Sequence, residues 1–207
     1  MHQGLLSFFA PARAARPLRP VAQHWSASCG TPLTLRPVLA SDAHLLGQLL
    51  DEGLSRQSRF SRFHGALGRL SPARLAWLAD ADFQSHVAFV VTLDGDGEEQ
   101  AVAEGRWFRA AGGNRAEFAL AVADRWQQQG LGGRLLSALL ATARAQGLDE
   151  LVGEVMACNQ AMLALATGHQ FQCADHPDGP GVVRAVFALP ALSEPPHRGW
   201  AGLPWLH

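Results

Sequence analysis

Apolar residues recur along this chain with two different spacings. Leu45, Leu46, Leu49 and Leu50 fall three and four apart, the stripe of a helix that opens at Ser41 as N-cap and runs to Leu54. A second helix opens at Ser71-Pro72, since proline suits the first helical position, and turns Leu75 and Leu78 inward. Leu135, Leu136, Leu139 and Leu140 mark a third, over 132–145, which Gly147 ends; 160–167 is a short fourth. Elsewhere the period is two, or the run is continuously apolar. TLRPV (34–38), VAFVVTLD (87–94), AVAEGRWFRA (101–110), RAEFALAVAD (115–124), LVGEVMA (151–157) and GVVRAVFAL (181–189) read as strands. DGDG and AGGN join the second, third and fourth of these as antiparallel hairpins. Strand 116–123, helix 132–145 and strand 151–157 form a crossover whose two strands are parallel neighbours. The expected class is α/β (α+β): a mixed, mostly antiparallel central sheet with helices on both faces and one parallel strand-helix-strand unit.

Composition narrows the partners. Among 207 residues, 17 basic against 18 acidic side chains give a net charge of -1, which argues against nucleic acid held by a general basic surface. All the basic residues counted there are arginine, and lysine, isoleucine and tyrosine are absent, so no lysine or tyrosine serves as acid, base or nucleophile. Cys29, Cys158 and Cys173 show no CxxC spacing; neither a disulfide framework nor a metal site is expected, and a reducing cytoplasm is the default. No apolar run is long enough to span a membrane. The start, MHQGLLSFFAPARAAR, places its short apolar patch before the arginines and fits a secretory signal poorly; with no acid before Asp42, a transit peptide is a weaker reading than a plain arm. The expected organisation is an N-terminal arm (1–30), one domain (31–190) and a Pro- and Gly-rich tail (191–207) whose Trp200 and Trp205 can dock on it.

The informative stretch is VADRWQQQGLGGRLL (122–136), where glycines crowd the junction between a central strand and a long helix. The first N–H groups of a helix have no internal partner and lie at the positive end of its dipole, so this junction can hold an anion such as pyrophosphate. Gly130, Gly132 and Gly133 would let that anion approach the backbone. A Walker loop is excluded because it needs lysine, and GxGxxG is absent.

With Val122, Trp126, Gln127, Gly130 and Gly132 at the spacing of an acetyl-CoA signature, the chain resembles the GCN5-related N-acetyltransferases. Asn159, Met162, Leu165 and Phe171 fall at the spacing of that family's second cofactor segment, and the resemblance spans roughly 33–189. AEFALAVADRWQQQGLG, LVGEVMACNQAML and the SRFSRF stretch are similar to the acetyltransferase domains of bacterial protein acetyltransferases.

The resemblance implies acetyl-CoA as cosubstrate, lying in a V between the two parallel strands, and an amine acceptor, either a protein lysine or a small molecule, that attacks the thioester directly in a ternary complex. It implies cofactor contacts from Leu120, Ala121 and Val122, from Gln127, Gln128, Gln129, Gly130, Leu131, Gly132, Gly133 and Arg134, and from Asn159 and Met162, with Leu120 also near the reacting carbonyl. A backbone N–H aimed at the developing oxyanion is worth on the order of 3 kcal/mol. Glu117 matches the subgroup's glutamate and is the candidate base; Glu104 and Glu154, also on strands, are its rivals. Alternation puts Glu117, Ala119 and Ala121 on one face and Phe118, Leu120 and Val122 on the other, unless a bulge intervenes.

Two positions depart from the family. Ala166 stands where many members carry the tyrosine that protonates the departing thiolate, leaving water, Cys158, Ser137 or His169 as substitutes, and Gln170 stands where glycine is usual. The stretch 55–69, with Arg56, Arg59, Arg62 and Arg69, reads as a loop that is either solvated or favours an acidic acceptor or the cofactor phosphates. A non-catalytic acyl-CoA-binding regulatory module is the rival function, and a structural domain recruiting partners through its arms a weaker one. Neither nucleic acid nor membrane is expected as a partner, and homodimeric assembly is left open.

Overall fold

The structure, a computed structural model, describes residues 21–189 apart from 66–67, 96, 110–111 and 178. Most of the expected N-terminal arm and the tail with Trp200 and Trp205 lie outside the described residues.

Eight strands form one sheet: β1 (Gln23–Ser26), β2 (Pro32–Pro37), β3 (His86–Gly95), β4 (Glu98–Arg109), β5 (Arg115–Val122), β6 (Glu150–Met156), β7 (Gln172–Asp175) and β8 (Val182–Ala188). Their order is β1-β2-β3-β4-β5-β6-β8-β7, and among the described residues β5–β6 is the one parallel pair. Five helices accompany them: α1 (Ala43–Glu52), α2 (Arg56–Phe63), α3 (Pro72–Ala79), α4 (Leu131–Ala145) and α5 (Gln160–Gly168). The mixed, mostly antiparallel sheet with helices on both faces is the architecture read from the apolar pattern.

Two cores flank the sheet. On one face Leu131, Leu135, Leu136, Leu139 and Leu140 of α4 pack on Leu33, Leu35, Phe89, Trp107 and Phe118, joined by Ala166 of α5. On the other, Leu46 and Leu50 of α1 and Leu78 of α3 pack on Ala88, Val90 and Ala121. Each fully buried leucine is worth on the order of 2 kcal/mol, so the α4 stripe is the strongest fastening of a helix to the sheet. Trp107, fully buried, donates its indole N–H to Thr142 of α4 at 3.1 Å and fixes how that helix lies on β4.

Four local expectations are corrected. Residues 23–26, assigned to the arm, form strand β1, held by antiparallel pairing to β2 with Trp25 packed against the main core. Ser41 does not cap α1: residues 40–42 form a 3-10 turn, and the buried Asp42 carboxylate accepts from Leu39 N–H at 2.8 Å and from Arg36 at 2.6 and 3.0 Å. The arginine-rich 55–69 stretch is not all loop, because Ser55 caps α2 by accepting from Ser58 N–H. A further strand, β7, pairs with β8 at the sheet edge. Ser71 and Pro72 open α3 as expected, with Arg74 N–H donating to the Ser71 hydroxyl at 3.3 Å.

Candidate active site

The parallel ladder between β5 and β6 is three residues long, Arg115↔Glu150, Ala116↔Leu151 and Glu117↔Val152. Beyond Glu117, β5 stays paired with β4 as far as Val122, while β6 pairs only with β8 out to Met156, so the two strands part into a V. The next register position would set Phe118 beside Gly153. The ring of Phe118 lies against Gly153 so closely that a Cβ there would sit 2.5 Å from a ring carbon. Phe118 is held in turn by Phe171, ring centroids 5.2 Å apart. Alternation along β5 holds without a bulge: Phe118, Leu120 and Val122 face the α4 core, Ala121 the α1–α3 core, and Glu117 is exposed.

At the open end of the V the chain turns into α4. Gln127 folds back, its side-chain amide donating to Val122 O and to the Asp124 carboxylate, both at 3.2 Å. Gln128 and Gly130 take left-handed backbone conformations, φ 59° and 82°. The first bond into the helix runs from Arg134 N–H to Gly130 O at 3.2 Å, so Leu131, Gly132 and Gly133 have N–H groups with no acceptor inside the helix. The three glycines serve different ends, against the single reason the sequence suggested. Gly130 has open space around it and is required for its φ; a Cβ on Gly132 would press on Leu165 of α5 at 3.0 Å; one on Gly133 would make ordinary contact with His169. Beside this helix end lies a groove of about 500 Å³ lined by Gln23, Gly130, Gly133, Arg134, Ser137 and His169. The Arg134 guanidinium lies over the Trp25 ring, 4.5 Å from its centroid.

The far arm of the V leads into α5. Asn159 caps that helix, its side-chain oxygen accepting from Met162 N–H at 3.2 Å, and Met162 and Leu165 pack half-buried against the main core. Ala166 is fully buried, so no acid is presented from that position. Ser137 and His169 Nε2 hydrogen-bond at 3.3 Å, and the other His169 nitrogen meets Leu165 O at 3.0 Å, an arrangement in which a neutral imidazole donates to the carbonyl and accepts from the serine. Gln170, standing where glycine is usual in the family, adopts a left-handed backbone conformation, φ 67°.

The opposite face of the sheet carries the carboxylates. Register places His86, Phe108, Glu117, Val152 and Val186 in one row across β3, β4, β5, β6 and β8. Trp77 of α3 stacks on Phe108, centroids 4.9 Å apart, and Phe108 on His86 at 4.2 Å. The exposed Glu117 thus borders an aromatic stack on one side and valines on the other. Glu104 is in a different setting: wholly buried, it accepts from Arg62 at 2.9 and 3.0 Å and from Arg106 at 2.7 Å. Glu154 is exposed and engaged by His176 at 3.1 Å and Arg184 at 3.9 Å. The arginines of 55–69 are largely committed internally: Arg59 to Leu50 O and the Asp51 carboxylate, Arg62 to Glu104, Arg69 to Glu52 at 3.5 Å. Arg56 and Arg69 remain exposed at the surface. The sequence named Glu104 and Arg62 separately, and what it did not show is that they pair with each other and with Arg106.

Known proteins carry the same pattern. The model of the acetyltransferase (GNAT) family matches residues 53–170. The chain is 32% identical over 157 residues to an acetyltransferase of Pseudomonas aeruginosa, a match covering 75% of this chain and 84% of that protein. It is 30% identical over 131 residues to the acetyltransferase Pat of Mycolicibacterium smegmatis, covering 62% of this chain and 38% of Pat. Its fold matches the GNAT domain of S. lividans PAT with a TM-score of 0.71 at 25% identity, covering 81% of this chain and 97% of that domain. A Salmonella typhimurium protein solved with its cofactor acetyl-CoA shares the fold with a TM-score of 0.59 at 18% identity, covering 76% of this chain and 94% of that one.

Proposed function

Because the chain belongs to the acetyltransferase (GNAT) family, we propose that it moves an acetyl group from acetyl-CoA to a primary amine, a protein lysine or a small amine, by direct attack in a ternary complex. The observation that carries this reading is the V itself: a three-residue parallel ladder that opens toward a helix end with unpartnered N–H groups. Those groups, at Leu131, Gly132 and Gly133, suit a diphosphate, with Gln127, Gln128, Gln129, Gly130 and Arg134 shaping the turn around them. The backbone of Leu120, Ala121 and Val122 on one arm, with Asn159 and Met162 on the other, would line the pantetheine chain. When bound, acetyl-CoA supplies an activated acetyl thioester.

The protein's part is to deliver a neutral amine to it. An ordinary lysine amine has a pKa of about 10.4, so at pH 7 only about one in 2,500 is unprotonated. A base at the acceptor is therefore useful. Glu117 suits that role: it is exposed at the vertex of the V, on the face opposite α4, with no arginine bound to it among the described residues. Glu104 does not suit it, because both its oxygens are already occupied by guanidinium groups. With Ala166 buried, the thiolate leaves unprotonated or takes a proton from water, which its ordinary pKa of about 8.5 permits.

A thiol-release assay with acetyl-CoA and a panel of amines tests the proposal. Release that depends on an added amine, with matching acetylated product, is the expected result. Binding of coenzyme A with no release above background across the panel would instead identify a regulatory module.

A further inference from the structure

Helix α2 differs from its neighbours in how it is held. Where α1, α3 and α4 bury leucines, α2 (RQSRFSRF) buries no residue completely, and Phe63 is its half-buried contact with the second core. Its remaining fastenings are polar: Arg59 ties it to the end of α1, at Leu50 O and the Asp51 carboxylate, and the others reach toward the V. Ser55 N–H donates to the Asp124 carboxylate at 3.3 Å, just beyond β5. Gln127, in the cofactor turn, donates to the Ser58 hydroxyl at 3.4 Å. Gln57 approaches the Cys158 sulfur at 4.0 Å, just beyond β6. Arg62 reaches down to β4, where Nε and Nη2 share one oxygen of Glu104. The helix therefore lies across the gap between β5 and β6 on the face where Glu117 is exposed.

The ion pair beneath it is built to last. Side-chain exposure is 0% for Glu104 and Arg106 and 11% for Arg62. Arg106 is itself located by Leu78 O of α3 at 2.7 Å and His86 at 3.3 Å, so the cluster joins α2 to α3, β3 and β4. Burial alone would raise the Glu104 carboxyl, but the two guanidinium groups beside it hold it below the usual carboxylate range. Charge-assisted bonds of this kind are the strong ones, and a wholly buried carboxylate with both oxygens engaged in them is poorly placed to meet an acceptor amine.

We propose that Glu104 is a positioning residue: through Arg62 it anchors α2 over the gap between β5 and β6, where the helix forms a wall of the acceptor site, and it does not take the acceptor's proton. The kinetic consequence rests on the acetyltransferase reading above; the anchor itself does not.

The test uses the full chain with Arg62→Met and Glu104→Gln. Arg62→Met keeps Glu104 paired with Arg106, so it remains informative if Glu104→Gln fails to fold. Hydrogen exchange should show the amides of 56–63 exchanging about tenfold faster or more in Arg62→Met, with α4 and β3 unchanged. With an amine that the wild type acetylates, KM for that amine should rise about tenfold while KM for acetyl-CoA moves less, and Arg62→Lys should recover part of the loss. The kcat/KM loss in both variants should be the same at every pH, leaving the inflection of the profile in place. Unchanged exchange in α2 of Arg62→Met would overturn the anchor. An inflection that disappears in Glu104→Gln but persists in Arg62→Met would make Glu104 the base. If the wild type acetylates no amine, the functional reading falls while the exchange experiment still decides the anchor.

Discussion

Replacing Gly153 with alanine tests whether the Phe118 ring sets the shape of the cofactor V. The added Cβ would stand 2.5, 2.7 and 3.1 Å from three carbons of that ring. The ring cannot simply retreat, because Phe171 packs against it with a centroid separation of 5.2 Å and Phe187 against Phe171 at 5.3 Å. Overpacking of this kind costs about 1–3 kcal/mol. Alanine recovers roughly 0.5–1 kcal/mol that glycine loses in a strand, which leaves a net destabilisation of up to about 2.5 kcal/mol. For a domain of this size each kcal/mol lowers Tm by about 2–4 °C, so a fall of up to about 10 °C is expected by thermal unfolding. Because the clash lies where β5 and β6 part, the displaced ring should also change their spacing and raise the Kd for acetyl-CoA, measured by calorimetry. Phe118→Leu in the same chain should relieve the clash, so the double variant should be more stable than the two single losses predict. Additive losses, or a Gly153→Ala protein with unchanged Tm and affinity, would refute the wedge.

Other outcomes follow from the same geometry. Glu117→Gln should lower kcat about tenfold or more near neutral pH without altering acetyl-CoA affinity by calorimetry; unchanged turnover would remove Glu117 from the mechanism. Thr142→Val should destabilise by about 1–3 kcal/mol in urea unfolding, because it leaves the buried Trp107 indole N–H without its acceptor. Asp82 gives a pH signature. Burial would raise its carboxyl, but the Ser85 hydroxyl and the N–H groups of His86, Gln84 and Ser85 that donate to it bring it from 3.8 down to about 2. Its stabilisation is therefore complete above pH 3.8 and lost as pH falls toward 2, so the stability gap between wild type and Asp82→Ala should narrow over that interval. A gap constant from pH 5 to 2 would contradict it.

What was legible in the sequence followed how directly each residue's pattern reports its surroundings. Leu135, Leu136, Leu139 and Leu140 all lie buried because a helical stripe of leucines has one stable solution, burial against the sheet. The strand-helix-strand order forced a parallel pair, and glycines before a helix marked the turn. What was hidden depends on partners distant in the chain. Nothing local distinguishes Arg62 from a solvated arginine; its burial is decided by Glu104, which lies 42 residues away in sequence, whereas Arg106 has the same partner two residues off on its own strand. β7 is an edge strand whose four residues are all exposed, so it carries no apolar alternation to read. The burden on Gly132 comes from Leu165 of a helix that follows two elements later. Gln170 shows another case, a non-glycine residue whose left-handed conformation, at a cost of roughly 1 kcal/mol, no local pattern announces.

The shortness of the β5–β6 ladder has a consequence for the apparent stability of the protein. Two strands that separate after three pairs give a sheet with interior margins as well as outer ones, and backbone groups along such margins favour whatever chain-like molecule can lie between them. A ligand that threads this seam stitches the halves together and stabilises the native state by mass action. Melting temperature should therefore climb with coenzyme A concentration, and the residues flanking the seam should gain the most protection.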